Sequence, residues 1–303
     1  MSMQSGIPID VAVRDAYLAR LGWSDVPPPT VDTLIALHRA HVERVPYDTI
    51  WIALGERRGI DLLESTRILT NGTGVGGYCY HLNGGLSLLL EWLGFEVHRH
   101  LGGVQSNPSP ANPEPAAGAS GNHLAVTVTG LGGGVGVADA WMVDAGLGDA
   151  LHEPIPLVEG TIEQGPFRFH LRPSQAEPGA WRFDHDPKGS FIGSDYRPGP
   201  VEEHEFHERH EFLSTSPDSG FVRVPMVQRR DAGGVDSLRG KLLLRVAATP
   251  DDGRELASEA EWRAALADIF GIRLDHVDPA NATAVWQRIC TDHEAFLQSR
   301  STT

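Results

Sequence analysis

Three residues in this 303-residue chain have the types that nucleophilic acyl chemistry requires: Cys79, His123 and Asp144. A thiol becomes a strong nucleophile when an imidazole takes its proton, and a carboxylate behind the imidazole fixes the ring's tautomer. Cys79 lies in residues 71–94, NGTGVGGYCYHLNGGLSLLLEWLG, a glycine-rich loop running into an apolar helix. Leu82, Leu86, Leu89, Leu90 and Leu93 recur on one helical face, and Gly94 supplies the stop. The thiol therefore belongs at the first helical turn, where the macrodipole and unpaired N–H groups favour an anion.

His123 and Asp144 bracket two short apolar strands, residues 124–129 and 140–143, joined by the glycine-heavy residues 131–136. A turn centred on Gly133-Gly134 sets His123 opposite Asp144 across the ladder, and a longer loop shifts that register. The residues alone also fit a small buried cysteine, a capping histidine and a turn aspartate.

The elements that must hold these groups change period along the chain. Residues 1–94 read as mostly helical: Val11, Val13, Tyr17 and Leu18 line one segment, and Thr30 caps another carrying Val31, Leu34, Ile35, His38 and Val42. Beyond Gly94 the period is two, with Phe95, Val97 and Leu101 alternating, and short strand signals at residues 167–171 and 180–184 suggest an antiparallel barrel or sandwich. Residues 105–122, rich in Pro, Ala, Ser and Gly, read as a surface insertion. In the last third, residues 220–224 and 241–246 read as strands. Ser258 opens one helix with a capping box and Asp278-Pro279 opens the last. The fold class is α+β in three parts: a helical part carrying the cysteine (1–94), a β-barrel carrying the histidine and aspartate (95–213), and an α/β lid (214–303).

A formal charge of −15 argues against phosphate-neutralising partners, so no nucleic acid is expected. Two cysteines suit a reducing cytoplasm, and the absence of both a basic-apolar leader and a long apolar run gives no expectation of export or of a membrane. Residues 72–77 match G-x-G-x-x-G, a weak dinucleotide signal without a parallel βαβ frame. Cys79, His81, His98, His100 and the run His204, His207, His210 contain no pair at strong metal-ligand spacing, so no metal is expected.

Several short segments, in one order, resemble the arylamine N-acetyltransferases. Gly76-Gly-Tyr-Cys79 followed by Asn83 is similar to that family's nucleophile motif, and Val45-Pro-Tyr-Asp48 to its Pro-Phe-Glu-Asn segment. Gly94-Phe-Glu-Val97, Asn122-His-Leu124, Val143-Asp-Ala-Gly-Leu-Gly148 with Pro154-Ile-Pro-Leu157, and Ser214-Thr-Ser-Pro217 with Ser219-Gly-Phe221 follow in register. The resemblance implies a helical bundle, a barrel and a lid on a cysteine-protease-like core, with Cys79, His123 and Asp144 as the catalytic residues. It implies ping-pong transfer from acetyl-CoA or another acyl-CoA, through an acyl-cysteine, to an arylamine, arylhydrazine or N-hydroxyarylamine, with no permanently bound cofactor. Tyr47, Gly77, Tyr78, Asn122 and Phe206 are the expected substrate and oxyanion neighbours. Val75 stands where the family carries arginine and Asp48 where it carries glutamate. The related amide synthases of ansamycin assembly, which use a carrier-bound acyl chain, remain the near alternative. A thiol hydrolase with the same three residues and a silent binding protein are the others.

Overall fold

The computed structural model describes residues 5–70, 75–108, 112–132, 138–249 and 251–301. Helices Val11–Leu21, Val31–Arg44, Ile50–Ala53, Leu62–Thr70 and Cys79–Trp92 build the first part. Thr30 accepts from the Thr33 N–H, so the cap read from sequence forms, and Val31–Arg44 ends before Pro46, whose missing N–H cannot extend it. Val11 is exposed; Tyr17, Leu18 and Leu21 form the buried face of the first helix instead.

Cys79–Trp92 is buried from every side, not on one face, because the other helices and the sheet both pack on it. Gly84 and Gly85 make this close approach feasible. A Cβ on Gly85 would come 2.8 Å from Leu69 Cδ1. Gly94, at φ 90°, ends the helix, with its N–H bonded to Glu91 O and the Phe95 N–H to Leu90 O.

An eight-stranded antiparallel sheet follows, in the spatial order Ile155–Pro156, Trp141–Met142, His123–Thr129, Glu96–Ser106, Phe191–Tyr196, Trp181–Asp184, Phe167–Pro173 and Gly160–Gln164. Its two edge strands are neighbours in sequence, separated only by residues 157–159, and three residues span roughly 10 Å at most. The sheet must therefore curl until its edges approach, around a core of Phe167, Phe169, Leu171, Phe183 and Phe191. Residues 105–122 are only partly a surface insertion. Gln105 lies buried in Glu96–Ser106, and Asn122 clasps Val104 through both its N–H and its C=O.

The third part is a five-stranded antiparallel sheet, in the order Tyr47–Asp48, Met226–Asp231, Gly234–Arg239, Leu242–Ala247 and Arg254–Glu255, backed by helices Glu259–Asp268 and Pro279–Ser301. Ser258 accepts from the Glu261 N–H as its capping motif requires. Residues 220–224, expected as a strand, instead form a short helix, Gly220–Arg223. Ser219 accepts from Phe221 N–H and donates to Leu213 O, and this local cap outweighs the β-branched Val222 and Val224. Among the described residues no helix is long and apolar enough to cross a membrane.

Candidate active site

Gly76-Gly77 presses the chain before Cys79 against Pro46-Tyr47-Asp48. The Asp48 N–H donates to Gly77 O at 2.8 Å. A side chain on Gly76 would strike the Pro46 carbonyl and one on Gly77 would meet His81 Cβ at 2.6 Å, so no larger residue fits either position. Cys79 is then the first residue of its helix, after the extended cap residue Tyr78. Its N–H is among those a helix leaves without an internal partner. The sulfur is 4% exposed and donates to Asn122 O at 3.6 Å.

His123 opens its strand opposite Gly102, where a Cβ would come 3.0 Å from the imidazole Cδ2. Glycine across the ladder thus leaves room for the ring. His123 Nε2 lies 2.7 Å from Asp144 Oδ2, and both residues are almost wholly buried. The ladder register differs from the expectation by two residues: Thr127 faces Met142 and Val128 faces Trp141. The proposed turn centre, Gly133-Gly134, falls outside the described residues, and so do residues 72–74 of the G-x-G-x-x-G match. A two-residue slip preserves which face a side chain takes, so Asp144 still reaches His123 diagonally.

The Asp144 carboxylate accepts four hydrogen bonds. Oδ1 takes Asn83 Nδ2 at 2.7 Å and the Gly146 N–H at 3.1 Å. Oδ2 takes His123 and, at 3.1 Å, the Tyr196 hydroxyl. Asn83 sits one turn after Cys79 on the same helix. It also donates to Leu124 O at 2.7 Å and accepts from the Ala145 N–H at 2.9 Å. One side chain therefore locks the cysteine helix, the histidine strand and the aspartate loop together. Gly146 is the matching close approach, since a Cβ there would lie 2.8 Å from Cys79 Cα.

Burial alone would push the His123 imidazole down. The Asp144 charge and hydrogen bond, with a hydrogen bond from the ring to the Cys79 sulfur, outweigh it and lift the ring to about 10. Because Nε2 is taken by Asp144, Nδ1 is the nitrogen available to the sulfur.

Tyr47, Cys79, Asn122 and His123 line one cavity of about 260 Å³, with Phe191, Phe221, Gln228 and Arg239 on its other walls. Gly77, Tyr78 and Phe206 do not line it. Tyr78 turns away to stack on Trp51 and bond His210, while Phe206 faces a separate cavity of about 450 Å³ beside Tyr80. The histidines considered for metal binding are also dispersed. His98 and His100 bond Thr129 and Thr127, and His210 bonds Tyr78 and Arg58 O. No group of three or more His, Cys, Asp or Glu side chains is arranged around a metal position among the described residues.

Sequence reading missed Arg58, Gly146 and Tyr196. Arg58 donates to Gly76 O at 3.1 Å and lies over the Trp51 ring at 5.0 Å. Arg20 donates to Leu69 O and, at 2.9 Å, to Val75 O. Two guanidinium groups from other segments thus hold the backbone next to Val75. Asp48 keeps its own task, capping the Ile50 N–H at 2.7 Å. Burial raises its carboxyl to about 6, against the opposing pull of Arg58.

A helix-start cysteine and a buried histidine–aspartate pair beside a small cavity on this three-part α+β fold are what acyl transfer needs, and comparison with known proteins places the chain in a family of that kind. The family model described as N-acetyltransferase matches residues 30–278. The arylamine N-acetyltransferase of Mycolicibacterium smegmatis is 30% identical over 283 residues, covering 85% of this chain and 91% of the relative. Proansamycin X synthase of Amycolatopsis mediterranei is 31% identical over 160 residues, 52% of this chain and 57% of that protein. The structure of Mycobacterium marinum arylamine N-acetyltransferase in complex with CoA shares the fold, with a TM-score of 0.76 at 24% identity, covering 90% of this chain and 97% of that one. The chain belongs to the arylamine N-acetyltransferase family.

Proposed function

We propose that the protein transfers an acetyl group from acetyl-CoA to an arylamine through an acetyl-Cys79 intermediate. The observation that carries this reading is the buried His123–Asp144 contact beside Cys79 at the wall of a cavity. The Asp144 carboxylate keeps the imidazole basic enough to take the Cys79 proton, and the thiolate–imidazolium pair so formed is the attacking state. The thiolate attacks the thioester carbonyl carbon. As the carbon–sulfur bond to CoA breaks, His123 gives its proton to the departing thiolate, releasing free CoA and leaving acetyl-Cys79.

An arylamine then attacks the acetyl carbon. Neutral His123 accepts the amine proton, the bond to Cys79 breaks, and the thiolate–imidazolium pair is restored. The Cys79 N–H at the helix start is positioned to stabilise the oxyanion of both tetrahedral states. CoA as donor is supported by the CoA complex of the M. marinum relative. Similarity to proansamycin X synthase favours amide synthesis as a second reading.

The test is intact mass after incubation with acetyl-CoA. One added acetyl group on the wild-type chain, and none on Cys79→Ala, is expected. A wild-type chain that stays unmodified overturns the reading.

A further inference from the structure

Several polar side chains around the cavity already have partners. Asn122 is engaged with the Val104 backbone, and Ser190 gives its hydroxyl to Asp149. The Tyr47 hydroxyl and the Gln228 amide differ. Both side chains line the cavity, Tyr47 is 8% and Gln228 3% exposed, and neither has a hydrogen-bond partner among the described residues.

The two are placed by the fold as a pair. Tyr47 faces Gln228 across the ladder between Tyr47–Asp48 and Met226–Asp231. Gly148, at φ 69°, leaves the space they occupy: a Cβ there would collide with Gln228 Oε1 and lie 3.4 Å from Tyr47 Cγ. Phe221 stands edge-on to Tyr47 with ring centroids 6.3 Å apart, and Phe191 adds a second aromatic wall. An aromatic ring entering here strips water from a phenol and an amide that no described protein group bonds, and a substituent that pairs with them removes that penalty. Burial and the neighbouring Cys79 charge keep the Tyr47 phenol protonated, so it donates, while Gln228 both donates and accepts.

We propose that Tyr47 and Gln228 form a subsite selecting arylamine acceptors that carry a neutral hydrogen-bonding ring substituent, a hydroxyl above all. This rests on the acetyl transfer proposed above. A site built to bond a substrate hydroxyl discriminates strongly against the analogue lacking it.

The experiment measures kcat/KM with acetyl-CoA for the three aminophenols and the three toluidines, which match in shape, in the wild type, Tyr47→Phe and Gln228→Met. Comparing each hydroxyl-to-methyl ratio between proteins cancels both the amines' intrinsic nucleophilicity and any general damage in a variant. The favoured aminophenol isomer is expected to lose at least tenfold in that ratio in either variant, equivalent to about 1.4 kcal/mol. A ratio unchanged within twofold in both variants overturns the subsite while leaving acetyl transfer intact. So does a preference for aminobenzoates that disappears in Arg239→Ala, because the recognised group is then an anion. Failure of Cys79 to take the acetyl group overturns the transfer itself, and the subsite with it.

Discussion

Two buried histidines lie close to the same cysteine and are driven in opposite directions. His81, two residues along the helix, is fully buried, and neither ring nitrogen has a hydrogen-bond partner among the described residues. Burial, with the nearby Arg58 and His210, lowers it to about 3. His123 is buried as deeply and rises to about 10. Burial is common to both; a carboxylate touches only one. The lesson is that the basicity of a buried imidazole in this molecule is set by its partner and not by its depth.

The comparison is broken hardest by Asp144→Asn, which leaves His123 as a second His81. A fall in kcat/KM of roughly 10⁴-fold is expected, the scale of removing the negative charge behind an imidazole. Iodoacetamide at pH 6 should alkylate wild-type Cys79 faster than free cysteine, and that advantage should vanish in the variant. Retention of rapid low-pH alkylation would sink the ion-pair account.

A smaller effect sharpens the other half of the comparison. His81 and His38, lowered to about 3 and about 4, bind protons less readily folded than unfolded. Their contribution to stability is therefore complete above the unfolded value of about 6.5 and is lost as pH falls below it. His123 has the opposite sign: its contribution is complete below about 6.5 and is lost as pH rises through about 10. Urea titrations from pH 7 to 4 should show steeply falling stability. His81→Leu should flatten that slope by up to about 1.4 kcal/mol per pH unit. An unaltered slope would mean that His81 already carries its proton when folded.

The mildest change is Tyr196→Phe, which removes one of four hydrogen bonds on Asp144. Roughly tenfold lower kcat/KM is expected, matching about 1 kcal/mol for a single bond. A loss as large as that of Asp144→Asn would make the phenol an equal member of the site.

Local features of the site were legible. The glycine pair, the cysteine and its helix are contiguous, and the cap at Thr30 and the stop at Gly94 use neighbours within a few residues. The His123–Asp144 contact could be approached because both residues end neighbouring strands, although a loop of uncertain span hid the register. Arg58 and Tyr196 were invisible for a different reason. They reach Gly76 and Asp144 through tertiary packing, and nothing in their flanking residues marks them. At residues 220–224 an intrinsic preference for strand lost to one serine hydroxyl.

The strand Tyr47–Asp48 leaves the helical part to become the edge of the C-terminal sheet, with Thr49 N–H bonded to Met226 O at 2.9 Å and the Met226 N–H to Thr49 Oγ1 at 2.9 Å. The last third of the chain is thereby sewn to the segment that flanks the nucleophile. That pairing also aligns Tyr47 with Gln228 across the ladder, so a wall of the cavity and the segment beside the nucleophile share one sheet.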